Sequence, residues 1–253
     1  MQSEKKNKPK LSIITVAYNS EKVIESTLVS VLNQTFKNFE YIIIDGNSTD
    51  KTIQIIELYK PKFKKININL VFITEPDNGI YDAMNKAITL ANGEWCNFMN
   101  TGDFFLNDNV LDIVFNSNKS YKEIAILYGY KVFKNKKIKP QSLNVLKYGL
   151  IMGNHQSMFF NKNILKNELI YDLKYTIYGD YELVNKIFLK YGYKRFLYVD
   201  LPIVNYLGGG ISSKPTFQKR KDKFLILYSH YGIVGVLRGI YFTLKEKLFI
   251  YLK

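Results

Sequence analysis

From Leu11 onward, short and mainly apolar runs alternate with longer stretches in which apolar residues recur every three or four positions. Such alternation marks strand–helix–strand units. The runs Leu11 to Ala17, Phe39 to Asp45, Leu70 to Thr74 and Glu94 to Met99 predict strands, and Glu21 to Leu32, Asp50 to Tyr59 and Ile80 to Ala91 predict the helices between them. The expected fold class is α/β, a mostly parallel central sheet flanked by helices. Ligand sites in such sheets lie beyond the carboxyl ends of the strands, so the residues there carry the first functional signal.

Those four strand ends read Thr15-Val16-Ala17-Tyr18-Asn19-Ser20, Asp45-Gly46-Asn47-Ser48-Thr49-Asp50, Glu75-Pro76-Asp77-Asn78-Gly79-Ile80-Tyr81-Asp82 and Asn100-Thr101-Gly102-Asp103. Turns and helix caps use the same residue types, which accounts for any one of them. Four on one edge point to a polar ligand. No G-x-G-x-x-G follows the first strand and no G-x-x-x-x-G-K-[ST] occurs in the chain, so neither nucleotide fingerprint is present. Acidic side chains there suit a ribose, a base edge or a metal bridging phosphates.

The bulk properties narrow the class. A chain of 253 residues that is 47% hydrophobic can fill one core, with no linker to divide it and no repeat,. The single cysteine, Cys96, excludes an internal disulfide framework and a cysteine metal cluster, and its apolar surroundings suggest core packing,. Met1 to Lys10 is charged and polar with no apolar signal core, so a cytoplasmic location is expected and the two N-x-T matches, at Asn33 and Asn47, carry no weight. A net charge of +14 calls for an anionic partner, whether nucleic acid, lipid or phosphate-bearing substrate,. The 20 tyrosines and 17 phenylalanines fit core building better than base stacking,.

The ordered series Leu11 to Asn19, Ser30-Val31-Leu32-Asn33-Gln34-Thr35, Ile44-Asp45-Gly46-Asn47-Ser48-Thr49-Asp50-Lys51-Thr52, Glu75 to Lys86 and Gly153-Asn154-His155-Gln156-Ser157 resembles the inverting glycosyltransferase family 2, with its GT-A fold, over about Lys10 to Tyr206. It is most similar to the branch that builds bacterial O-antigen, colanic acid and capsule. The resemblance implies transfer of a hexose or N-acetylhexosamine from a nucleoside diphosphate, usually UDP, with a divalent metal, Mn²⁺ or Mg²⁺, on the diphosphate. It implies that Thr15, Ala17, Tyr18 and Asn19 border the nucleotide, that Asp45 contacts the base, that Asp77 and Asn85 continue the pocket towards the ribose, and that Lys86 helps neutralise phosphate. Asp103 takes the last acidic position of the family's D-x-D element and is the metal candidate, although the element here reads Thr101-Gly102-Asp103. One protein carboxylate suffices where donor phosphates and water supply the other oxygens, and the competing role of Asp103 is a turn cap.

An inverting transfer needs one base for the acceptor hydroxyl. Asp180, in Tyr178-Gly179-Asp180-Tyr181-Glu182, opens a helical run ending near Tyr191 and matches the family's base, with helix N-cap as its other reading,. Glu182 and Asp172 are poorer candidates. His155 and Gln156 would line the sugar or acceptor side, and His230 is left structural. The Gly208 to Ser213 loop has the freedom to fold over phosphates or simply to connect,.

Lys219-Arg220-Lys221-Asp222-Lys223 leads into a largely apolar stretch, Phe224 to Leu244, broken by Arg238, His230 and three glycines. Interfacial helices among anionic headgroups are favoured over a membrane span, with a helical cap on the core as the other reading. The expected plan is a polar tail at 1–10, a GT-A domain at 11–210 with its nucleotide half at 11–105 and acceptor half at 106–210, and basic amphipathic helices at 211–253. The expected partners are a nucleotide-sugar donor, a polyprenyl-diphosphate-linked glycan and the inner face of the cell membrane, with no nucleic acid. The competing functions are a non-catalytic basic binding module and a sugar nucleotidyltransferase.

Overall fold

The computed structural model describes residues 8–116, 120–208 and 216–251, with side chains described as far as Lys245; most of the Gly208 to Ser213 loop therefore lies outside the described residues. Every residue of β1 (Leu11–Ala17) and β2 (Phe39–Asp45) is buried, because both strands are covered on both faces. Helices α1 (Ile24–Leu32), α2 (Thr52–Lys65) and α3 (Ile80–Leu90) connect β1, β2, β3 (Asn69–Thr74) and β4 (Trp95–Phe98), which pair in parallel in the order β3-β2-β1-β4. Helix α2 runs beyond the expected end at Tyr59 and carries Pro61 inside it. Pro61 sits on the exposed side, and completing the turn buries Phe63 against Tyr41, with ring centroids 5.2 Å apart.

Sequence periodicity located no strands in the second half, where the structure has five. They are β5 (Phe104–Phe105), β6 (Ile126–Phe133), β7 (Lys136–Ile138), β8 (Met158–Asn161) and β9 (Phe196–Asn205), with α4 (Val110–Phe115), α5 (Lys162–Leu165) and α6 (Gly179–Tyr191) among them. Among the described residues these complete one nine-stranded sheet, β3-β2-β1-β4-β8-β6-β9-β5, with β7 on β6. The sheet is mixed, because β8 is antiparallel to both β4 and β6. Its first four strands follow the parallel plan, and one continuous sheet crosses both halves of the chain. The core forms two layers. One packs α3 and α6 on one face, around Met84, Phe98, Phe160 and Leu183. The other packs α1 and α2 on the opposite face, around Leu28, Tyr41, Phe63 and Trp95.

Cys96 is fully buried and burial pushes its thiol up to about 12, which leaves it a packing residue without thiolate reactivity at neutral pH. The last element, α7 (Phe217–Tyr251), is broken at Gly232, where φ is 63°.

Candidate active site

The loops after β1 and β2 are fixed by their own side chains. Asn19 and Asn47 take the left-handed backbone, with φ of 44° and 64°, a conformation asparagine tolerates better than most residues. The Asn19 side-chain Oδ1 accepts the Thr49 N–H at 2.9 Å, the Asn19 backbone N–H donates to Ser48 Oγ at 2.8 Å, and the Glu21 N–H donates to Asp50 at 3.0 Å. Asp45 is fully buried, and its carboxylate accepts the Ser48 N–H, the Ser48 hydroxyl and the Thr74 hydroxyl.

Beside this framework a cleft of about 510 Å³ opens at the carboxyl edge of the sheet. One end holds Ala17, Tyr18 and Asp77. The Tyr18 ring is 64% exposed, unusual for an aromatic residue beside a core strand, and it offers a flat face at the mouth. Asp77 closes over Gly46: a Cβ on Gly46 would lie 2.5 Å from Asp77 Oδ2 and 3.4 Å from the Tyr18 ring. Only glycine there leaves room for the carboxylate beside the ring.

The other end gathers Asn100, Asp103, His155, Gln156 and Asp180. Asp103 is 6% exposed; its Oδ2 accepts the Gln156 amide at 2.5 Å and its Oδ1 accepts the Leu207 N–H at 3.2 Å. Burial raises its carboxyl to about 6, against the opposing effects of these donors and of nearby His155 and Lys131. Asn100 Nδ2 lies 3.0 Å from His155 Nε2, and His155 Nδ1 lies 3.4 Å from Asp180 Oδ2. With the Asn100 amide donating to Nε2, the imidazole carries its proton on Nδ1 and presents it to Asp180.

Asp180 sits in the first turn of α6, but it does not cap it. The cap position is Tyr178, no side chain caps the helix, and Asp180 Oδ1 instead accepts the N–H of Tyr181 at 2.8 Å. Tyr81 braces the turn by donating to the Ile177 carbonyl at 2.9 Å and accepting the Asp180 N–H at 3.3 Å. Burial, reinforced by the Asp180 charge, keeps the Tyr81 hydroxyl protonated well above its ordinary range. A Cβ on Gly179 would fall 2.7 Å from the Tyr81 ring, so this contact requires glycine.

The structure thus brings Ala17, Tyr18, Asp77, Asp103, His155, Gln156 and Asp180 to one cleft. Five other expected site residues do not line this cleft. Thr15 is buried within β1, bonded to the Tyr41 hydroxyl and the Met99 carbonyl. Asn19 and Asp45 are spent on the loop framework described above. Both ends of the Asn85 amide are taken by the backbone of Tyr171, and the Lys86 ammonium is held by the Pro76 carbonyl, Glu75 and Asp82. None of these five side chains lines the cleft, because each is committed to holding a loop or helix. Of the poorer base candidates, Glu182 is buried against His230 at 3.4 Å and Asp172 pairs with Lys174 at 2.8 Å, and neither lines the cleft.

Sequence reasoning missed Asn100, Tyr81 and Asp222 as parts of the site. Asn100 and Tyr81 stand within the strand-end motifs. The signal for Asp222 is one acid within a basic run. Asp222 is fully buried and its Oδ2 accepts the N–H groups of Ile177 at 2.8 Å and Tyr178 at 3.2 Å, fixing the cleft wall that leads into Asp180. Asp222→Ala is expected to leave both donors without their acceptor, costing about 2–3 kcal/mol and lowering the melting temperature by roughly 5–10 °C. An unchanged melting curve would show that the tie is dispensable.

Among the described residues no three His, Cys, Asp or Glu side chains form a metal cluster. The cleft nevertheless has an oxygen-rich end. Asn100 Oδ1 and Gln156 Oε1 are buried without a hydrogen-bond partner, close to the Asp103 carboxylate in the chain or by contact. One carboxylate and neutral amide oxygens, with room for phosphate oxygens, suit Mg²⁺ or Mn²⁺.

The sheet with its switch from parallel to antiparallel pairing, and the acidic cleft at its carboxyl edge, define a GT-A fold. The chain belongs to the family Glycosyl transferase family 2, which residues 12–194 match. It is 26% identical over 204 residues to a PGL/p-HBAD biosynthesis glycosyltransferase of Mycobacterium bovis, covering 79% of this chain and 78% of that protein. It is 37% identical over 102 residues to an uncharacterized glycosyltransferase of Haemophilus influenzae, covering 40% of each. Among solved structures, S. aureus TarS 1-349 in complex with UDP superposes with a TM-score of 0.67 at 22% identity, over 87% of this chain and 64% of that one. Glucosyl-3-phosphoglycerate synthase from Mycobacterium tuberculosis, in complex with Mn²⁺, UDP and glucosyl-3-phosphoglycerate, superposes with a TM-score of 0.57 at 15% identity, over 87% of this chain and 79% of that one. The chain therefore spans less than two thirds of the TarS chain that it matches.

Proposed function

We propose that the protein transfers a hexose or N-acetylhexosamine, with inversion, from a UDP-linked donor to a hydroxyl of a growing bacterial surface glycan carried on a lipid diphosphate. The observation that carries this reading is that two carboxylates, Asp103 and Asp180, line a single cleft together with the Tyr18 ring and Asp77. The cleft has the volume of a small-molecule site,. The family membership supplies the reaction class, and the similar structures solved with UDP, UDP-GlcNAc and Mn²⁺ support the donor and the metal. The acceptor class rests on the sequence motifs that resemble the O-antigen, colanic acid and capsule branch.

In this reading Tyr18 stacks on the base, and Asp77 beside it accepts hydrogen bonds from the base or ribose. Asp103, with the amide oxygen of Asn100, would hold Mn²⁺ or Mg²⁺. A divalent cation there supplies Lewis-acid stabilisation of the departing diphosphate. The acceptor oxygen attacks the anomeric carbon from the side opposite the diphosphate, the bond from that carbon to the diphosphate oxygen breaks, and the hydroxyl proton passes to Asp180. His155 and the Tyr181 N–H orient the Asp180 carboxylate while leaving lone pairs for that proton.

The test is a panel of melting curves with UDP, GDP, dTDP and ADP, with and without Mn²⁺. A ligand at one hundred times its dissociation constant stabilises the folded chain by about 2.7 kcal/mol. Stabilisation by UDP that grows with Mn²⁺ is expected. A panel without any response would sink the donor site, and preference for GDP or dTDP would replace the donor class.

A further inference from the structure

The C-terminal helix α7 is a hairpin. At Gly232 the backbone takes φ 63° and ψ −161°, and Lys223 Nζ comes within 3.3 Å of Thr243 Oγ1, twenty residues away. A straight helix would separate them by about 30 Å. The first arm, 217–231, is docked on the protein through Ile226, Leu227 and Asp222, all buried. The second arm packs on the first through its small residues: a Cβ on Gly239 would lie 2.5 Å from Leu227 Cδ1.

That packing turns the second arm inside out. Ile233, Val234, Leu237, Ile240, Tyr241 and Leu244 are each more than half exposed. Their spacing of one and three residues places them on one helix face. The first arm adds Phe217, Phe224 and Tyr228, exposed by 82%, 48% and 56%. In water an amphipathic helix puts such a face inward, whereas this one has no cover among the described residues,. Around it, between Thr216 and Lys245, stand Lys219, Arg220, Lys221, Lys223, Arg238 and Lys245, against a single acid, Asp222, which is buried beneath the first arm.

We infer that the α7 hairpin is a membrane-docking element that lies flat on an anionic bilayer, with the stripe from Ile233 to Leu244 among the acyl chains and its lysines and arginines among the headgroups. The apolar stripe requires a partner that takes greasy side chains, and the cations around it require one that is negatively charged. An anionic leaflet offers both. A second copy of a chain carrying +14 would bring like charges together,. A spanning second arm would have to leave the first, which Gly239 contacts closely. Through Asp222 the docked arm holds the Ile177–Tyr178 backbone in the cleft wall, so docking would set the cleft at the surface where a lipid-carried acceptor sits. That last consequence rests on the proposed function; the docking itself does not.

The experiment is flotation of the full chain with vesicles of phosphatidylcholine, with and without phosphatidylglycerol. Three forms are compared: the natural chain, a Leu237→Glu/Ile240→Glu/Leu244→Glu variant and an Arg220→Gln/Lys221→Gln/Lys245→Gln variant. The natural chain is expected to float only with phosphatidylglycerol and to be released by high salt. Each variant should lose binding by about tenfold or more while keeping the melting shift that nucleotide gives the natural chain. Should nucleotide shift neither form, the donor reading fails and the flotation result still decides the docking. Docking is overturned if the natural chain ignores the vesicles, or if the glutamate variant floats as well as it does. It is also overturned by a sedimenting dimer that the glutamate substitutions dissolve, which would make the occupant a second copy, or by retention through an alkaline carbonate wash, which would make the arm a span.

Discussion

Asp180→Asn is expected to lower kcat by about three orders of magnitude, the scale of a lost general base, while leaving nucleotide binding and the melting temperature close to those of the natural protein. Activity should fall because an amide does not take the acceptor's proton. Binding should persist because the Tyr18 ring and Asp77, which would hold the nucleotide, depend on other partners: Asp77 on the Gly79 N–H and both on the space left by Gly46. Stability should change little because Asp180 is not the N-cap residue: its Oδ1 accepts the Tyr181 N–H, a bond that the amide oxygen of asparagine keeps, and only the Oδ2 contact with His155 is lost. The other carboxylates of the cleft, Asp77 and Asp103, have roles at the nucleotide and the diphosphate in the proposed reading, which leaves Asp180 to take the proton. Steady-state rates with a donor that melting curves have identified, alongside a nucleotide titration, check this. A variant within a few-fold of the natural rate would remove Asp180 as the base.

Asp103→Asn should separate activity from stability in opposite directions. Burial raises this carboxyl from 3.8 to about 6 in the folded chain. Between those values the folded protein holds a proton that the unfolded chain releases, so stability falls as pH rises through that window. At neutral pH the charge is present in both states, and the buried carboxylate costs about 3 kcal/mol relative to an unshifted one. In EDTA, the natural chain should lose this contribution between roughly pH 4 and 6, whereas Asp103→Asn should show no such slope. At pH 7 the variant should melt roughly 5–10 °C higher. The new amide can be satisfied, because Gln156 carries an unpartnered Oε1 and by turning its amide can accept from it. Activity should fall by two to three orders of magnitude, about what a lost electrostatic stabiliser of a departing oxyanion removes, and Mn²⁺ should no longer strengthen the UDP-dependent shift. A variant that melts no higher in EDTA would show that the carboxylate is not strained by burial. A fully active one would remove it from the diphosphate site.

The local pattern by itself determined the first half of this protein. Four strands and three helices follow from apolar runs and 3.6-residue periodicity, most plainly at β1, β2 and β4, whose residues are all buried and so read as continuous apolar runs,. The motifs at their ends brought Ala17, Tyr18, Asp77 and Asp103 forward, and two short motifs in the second half added His155, Gln156 and Asp180. The tertiary structure decided what a motif does not encode, namely which polar groups are already spent. Asp45, Asn85 and Lys86 stand in the same motifs as Asp77, yet their hydrogen bonds are consumed within the chain by Ser48 and Thr74, by the Tyr171 backbone, and by Pro76, Glu75 and Asp82. In the second half β5, β7 and β8 are only two, three and four residues long, too short to show a period of their own,. Only folding likewise showed that Gly232 turns one apolar stretch into a hairpin and points its apolar stripe outward, since facing is a property of what the helix packs against.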